Sequence, residues 1–163
     1  MKHLLLLLIP ALAVFTGCKE GHDHDHAPGG HSHDHGDHGH HHEPPHGGAP
    51  VVLGDEAYHL EFVNDPETGT LNAYIIDGHM ETFIRLTNTS LTLSVARGGT
   101  NETMELKALA NNATGEKVGD SSHFAASAGW LKTATNFDAT IPSIDIRGTV
   151  YTNVAFNYPK GNE

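Results

Sequence analysis

Apolar and polar residues alternate through most of the chain beyond residue 57. In "AYHLEFV", Tyr58, Leu60 and Phe62 fall on one side of an extended backbone, and His59, Glu61 and Val63 on the other. That period of two is the signature of a strand with one buried face. "NDPETGT" interrupts it with Pro66 and Gly69, and "TLNAYII" resumes it, so residues 57–63 and 70–76 read as a hairpin. "ETFIRL" (81–86), "SLTLSVA" with Leu91, Leu93 and Val95 on one face, and "ETMELKAL" with Met104, Leu106 and Ala108 continue the pattern. "NFDATIPSIDI" and "GTVYTNVAFNY" complete it, the second with Val150, Thr152, Val154 and Phe156 aligned. Only the latter half of "SHFAASAGWLKTA" has helical composition. About seven short strands at regular spacing predict an all-β domain. The expected architecture is a single antiparallel β-sandwich, with an immunoglobulin-like arrangement as one candidate, carrying one short helix.

The alternation is absent at the start. "MKHLLLLLIPALAVFTGC" has a positive Lys2, an apolar run from Leu4 to Val14 and small residues before Cys18. It is too short to span a membrane and reads as a secretory signal over residues 1–17. "FTGC" resembles the lipobox of bacterial lipoproteins, although Phe15 is atypical three residues before the cysteine. The resemblance implies that Cys18 is lipidated and anchors the protein in the bacterial cell envelope, facing the periplasm or at the cell surface. The alternative is an ordinary signal followed by a free thiol. With a single cysteine in the chain, disulfides and cysteine-based metal sites are excluded once Cys18 carries lipid.

Residues 18–50 contain eleven histidines, with Gly, Pro and Asp making up most of the remainder. Nothing there can form an apolar core, so the segment is expected to be disordered in the absence of a ligand. Residues 51–163 are long enough for one domain. The tail carries one Lys against six Asp and Glu, net −5, and residues 51–163 carry seven Lys and Arg against fourteen Asp and Glu, net −7. With no basic patch to grip phosphates, nucleic-acid binding is not expected. The acidic balance suits cations.

Within the tail, "HDHDH", "HSHDH" and "HGHHH" place His22, His24, His26, His31, His33, His35, His38, His40, His41 and His42 largely at alternate positions. In an extended chain such pairs project to the same side. Neutral imidazole binds Zn(II), Cu(II) and Ni(II) well, and the intervening Asp residues can ligate or support. The expected cofactor is therefore a divalent transition metal ion, Zn above all, with Cu or Ni as alternatives. A flexible tract should follow the Irving–Williams order and hold several ions in fast exchange. Only Met80 and Met104 remain after signal removal, too little sulfur for a dedicated Cu(I) site.

His46, His59, Glu61 and His79 are candidates for a second metal site, since His59 and Glu61 share a strand face and His79 follows the hairpin's second strand. The competing reading makes His59 and Glu61 the polar side of a half-exposed strand. His123 reads as a surface or cap residue. No HExxH or nucleophile-elbow pattern is present, so no enzymatic role is expected.

The stretch "HGGAPVVLGDEAYHLEFVNDPETGTLNAYIIDGH", residues 46–79, resembles the opening of small His-rich periplasmic lipoproteins found with RND-type heavy-metal efflux systems. The matching positions are His46, Gly47, Gly48, Leu53, Gly54, Tyr58, His59, Glu61, Gly69, Leu71, Tyr74, Asp77, Gly78 and His79. "DSSHFAASAGWL" resembles a later stretch of that group more loosely. The resemblance implies a non-enzymatic metal-handling protein with a β-rich domain, buffering ions or delivering them to a metal efflux or uptake transporter. The alternative is an envelope protein-interaction module whose tail is a pH- or metal-responsive spacer.

Overall fold

The computed structural model describes residues 43–162. The chain divides into two units, Met1–His38 and Gly39–Glu163, and every described residue belongs to the second. The signal at 1–17, Cys18 and the tail histidines from His22 to His42 lie outside the described residues.

Alternating burial makes the described chain all-β and antiparallel, as expected. Its strands are β1 (Ala49–Leu53), β2 (Tyr58–Asp65), β3 (Thr70–Asp77), β4 (Ser90–Arg97), β5 (Thr100–Ala108), β6 (His123–Ser127), β7 (Phe137–Ile146) and β8 (Thr149–Tyr158). The one helical element is a 3-10 turn, Gly129–Lys132, in the latter half of the stretch with helical composition. The strands form one eight-stranded sheet in the order β1-β2-β3-β6-β5-β4-β7-β8.

That sheet curls until its two edges nearly meet. Phe62 on β2 stacks against Phe156 on β8 with ring centroids 4.5 Å apart. At the seam the side chain of Asn162 stands in for a strand: its Oδ1 accepts from the Val52 N–H at 2.8 Å, and its amide donates to the Val52 carbonyl at 3.1 Å. Pro50 has no N–H to offer there, so the β1 edge is closed to further pairing. Gly161 sits directly against the Pro50 carbonyl, with no room for a Cβ.

The β2–β3 hairpin sets the register on which the candidate site depends. The Asp65 carboxylate accepts from the Glu67 N–H at 2.9 Å and from the Thr68 hydroxyl at 2.6 Å, and Gly69 closes the turn with φ +72°. This side-chain-braced turn fixes the pairs Leu60↔Ile75 and Phe62↔Ala73 facing the core, and His59↔Ile76 and Glu61↔Tyr74 on the opposite face.

Three local expectations are revised. Residues 81–86 do alternate, with Ile84 and Leu86 buried, but they form no named strand. Thr82 accepts from Asp77 and Ile84 donates to Ile75, while Leu86 and Ser121 exchange hydrogen bonds, so the segment makes a single bridge to each of two neighbours and builds no ladder. In β8, Val150 is 57% exposed, while Phe156 and Tyr151 pack on the core. Asn153 adopts φ +53° and shifts the phase of the alternation. Its partner strand shifts too, from Phe137, Ala139 and Ile141 to Ile144 and Ile146 across Pro142. Finally, the folded body reaches back beyond residue 51. β1 begins at Ala49, and a turn from Pro44 to Gly47 is closed by a 3.0 Å hydrogen bond.

Candidate metal-handling face

The face of β2, β3 and β6 turned away from the core carries much of the chemistry singled out from the sequence. Glu61 is fully buried there. A buried carboxylate must be fully hydrogen-bonded to be tolerated. The turn at residues 44–48 supplies what it needs: Oε1 accepts the backbone N–H groups of His46 at 2.7 Å and Gly48 at 2.9 Å, and Oε2 lies 2.7 Å from His46 Nδ1. Gly48 is required for this approach, because a Cβ would fall 2.5 Å from the Phe62 carbonyl oxygen and 2.8 Å from the Glu61 Cγ.

The imidazole of His46 is held from its flat side as well. It stacks on Tyr74 with centroids 4.0 Å apart, and Tyr74 stacks in turn on His123 at 4.3 Å. Phe83 packs obliquely on His46 at 5.8 Å. The result is a three-ring column with a tyrosine between two histidines. At its far end His123 Nε2 meets Asn72 Oδ1 at 2.8 Å. Burial raises the Tyr74 hydroxyl above its ordinary pKa, and the nearby Glu61 carboxylate adds to the effect.

His123 is thus part of the site and not a surface cap. Burial holds its pKa below that of free histidine; Glu116 opposes the shift, and His46 reinforces it. Glu116 is itself fixed by the backbone and hydroxyl of Ser122 at 2.8 and 2.6 Å and by the Thr114 hydroxyl at 2.6 Å. A histidine with a depressed folded-state pKa binds fewer protons folded than unfolded. Its contribution to stability is present above the unfolded value of about 6.5 and is lost as pH falls from there through the lower folded value. The melting temperature of wild type should therefore fall between about pH 7.5 and 5.5. In His123→Gln that fall should be smaller, as thermal melts at the two pH values would show. An equal fall in both proteins would remove His123 as its source.

His59 lies elsewhere on the same face, and His79 beyond the end of β3. His59 is 1% exposed, with Nδ1 3.3 Å from the Asp77 carbonyl oxygen. His79 is exposed in the turn after β3. Burial acts to raise the Asp77 carboxyl, but the backbone N–H groups of Glu81 and Thr82 and the neighbouring His79 outweigh it and hold the group down. The fold brings Glu61 and His46 into contact and sets His59, Asp77 and His79 toward the other end of the hairpin. Among the described residues no group of three or more His, Cys, Asp or Glu side chains is arranged to hold a metal ion. Neither His59 nor Glu61 is a half-exposed strand residue; both are buried.

Sequence reasoning missed the column. Tyr74 and His123 are far apart in the chain, and only the β3–β6 pair Tyr74↔His123 places them side by side. No protein-family model, curated protein or solved structure matches this chain.

Proposed function

We propose that this is a lipid-anchored cell-envelope protein that binds divalent transition metal ions, Zn(II) first and Cu(II) or Ni(II) as alternatives. It would buffer them or pass them to a metal transport or efflux partner. The observation that carries this reading is the run of ten histidines from His22 to His42, which leads directly into the turn bearing His46. So many neutral imidazole donors in a segment rich in Gly and Asp favour borderline divalent ions over any other ligand class. The resemblance of residues 46–79 to lipoproteins of heavy-metal efflux systems points the same way. A tether through Cys18 would keep the captured ions at the membrane.

The test is titration calorimetry with Zn(II) and with Cu(II) on the full chain and on a variant with those ten histidines replaced by serine. A deletion starting at residue 51 would be a poor comparison, because it removes His46, Gly48 and the first two residues of β1. The wild-type chain should take up several ions at about pH 7.5 and release most of them at about pH 5.5, where free imidazole is protonated. The serine variant should lose nearly all of that uptake. Equal stoichiometry in the two chains would overturn the reading.

A further inference from the structure

A cavity lies well away from the histidines. The outer faces of β4, β7 and β8 form an open hollow of about 450 Å³, within the size range of small-molecule sites. Its floor spans two neighbouring rows of the sheet, Ser94↔Thr140↔Ala155 and Ala96↔Asp138↔Asn157. Alternate residues of the same strands, such as Val95, Ala139 and Phe156, are buried in the core, so these six side chains face outward. All six are short, which opens a depression on a face that the curl of the sheet would otherwise make convex. The chain end supplies one wall. Gly161 and Asn157 exchange backbone hydrogen bonds of 2.7 and 2.9 Å, which turns residues 161–162 back along β8. On the far side, Asn101 at the start of β5 stands opposite Ala96.

Some polar groups of the hollow are already engaged. Asp138 Oδ1 accepts from the Asn157 amide at 2.7 Å, and that amide is paired with the Asn136 side chain at 3.4 Å. Asn162 is held at the seam by Val52. The second Asp138 oxygen, the Ser94 and Thr140 hydroxyls and the Asn101 amide have no hydrogen-bond partner among the described residues. Asp138 is the one charged residue among the described lining. A single carboxylate is too little for a divalent cation and has the wrong sign for an anion. It does accept strongly from hydroxyl groups, and hydroxyl and amide neighbours can both donate and accept. That set suits a neutral ring carrying several adjacent hydroxyls.

We propose that this hollow binds a neutral saccharide. The Asp138 carboxylate accepts from neighbouring sugar hydroxyls, Ser94, Thr140 and Asn101 meet others, and the ring rests on Ala96 and Ala155. Asn157 is a positioning residue that fixes the carboxylate. The site shares no residue with the ring column on β2, β3 and β6, and it stands independently of the metal-binding reading.

The experiment is amide NMR of the full chain titrated with the methyl glycosides of glucose, galactose and mannose. Cyclohexanol, a similar ring with a single hydroxyl, is the control. At least one glycoside should shift amides of residues 94–96, 138–140 and 155–157 saturably in the millimolar range, and cyclohexanol should not. Asp138→Asn should weaken that binding about tenfold. Ala155→Leu fills the floor from an exposed position and should abolish it.

The inference is overturned if none of the glycosides moves these amides, or if cyclohexanol moves them as strongly. It is also overturned if binding is unchanged in Asp138→Asn or survives Ala155→Leu. The wild-type titrations need no substitution, so the idea stays open to refutation even where a variant loses its fold.

Discussion

Glu61→Ala is expected to destabilise the domain by about 3 kcal/mol, a drop in melting temperature of roughly 10 °C. The carboxylate is fully buried and joined to three donors of the 44–48 turn. Alanine leaves all three without their acceptor. Left buried, each would cost about 1–3 kcal/mol. The turn lies near the start of the folded body and can fray to let water in, which holds the loss to the lower part of the summed range. Glu61→Gln retains an acceptor oxygen of the same reach and should cost about 1 kcal/mol. Thermal or urea unfolding of the two variants checks this. If alanine costs no more than glutamine, the carboxylate is not what secures the turn.

Phe62→Ala is expected to be the most damaging single truncation, at about 4 kcal/mol. Phe62 is fully buried and stacks on Phe156 with the rings 11° from parallel. Its loss leaves a cavity and removes the ring contact that links β2 to β8 across the interior. That contact matters because, among the described residues, the edge strands β1 and β8 share no ladder, and the Asn162 side chain, just past β8, bonds the β1 backbone at Val52. Val63→Ala, at the neighbouring half-buried position, should cost less than about 1.5 kcal/mol. Urea titrations should show the midpoint falling for Phe62→Ala with an unchanged slope. A loss below about 1 kcal/mol would mean that the interior relaxes to fill the space and that the stack does not hold the seam.

Most strands were legible in the sequence, because alternation is a local property that each segment displays alone. The β2–β3 hairpin was legible down to its two faces, since "NDPETGT" carries turn signals in Pro66 and Gly69; the bracing by Asp65 was not read from it. Where reading failed, two influences were superposed. In β8 the row Val150, Thr152, Val154 and Phe156 was broken by a left-handed Asn153, which composition does not announce. In residues 81–86 the alternation was genuine, but a strand also needs a continuous partner, and the partner changes after one bridge.

The candidate site divides along the same line. His46, His59, Glu61 and His79 were visible as chemistry, and the alternation correctly put His59 and Glu61 on one face. What covers that face was not visible. Periodicity separates the two sides of a strand and says nothing about which loops return over the outer one. By itself the sequence determined a single β domain behind a histidine tract, because hydrophobic spacing and imidazole density need no partner to be read. Only the tertiary structure decided that Glu61 holds His46 and that Tyr74 lies between His46 and His123. Those contacts join residues 15, 28 and 49 positions apart, and no local preference encodes them; the closing of the sheet around its core does.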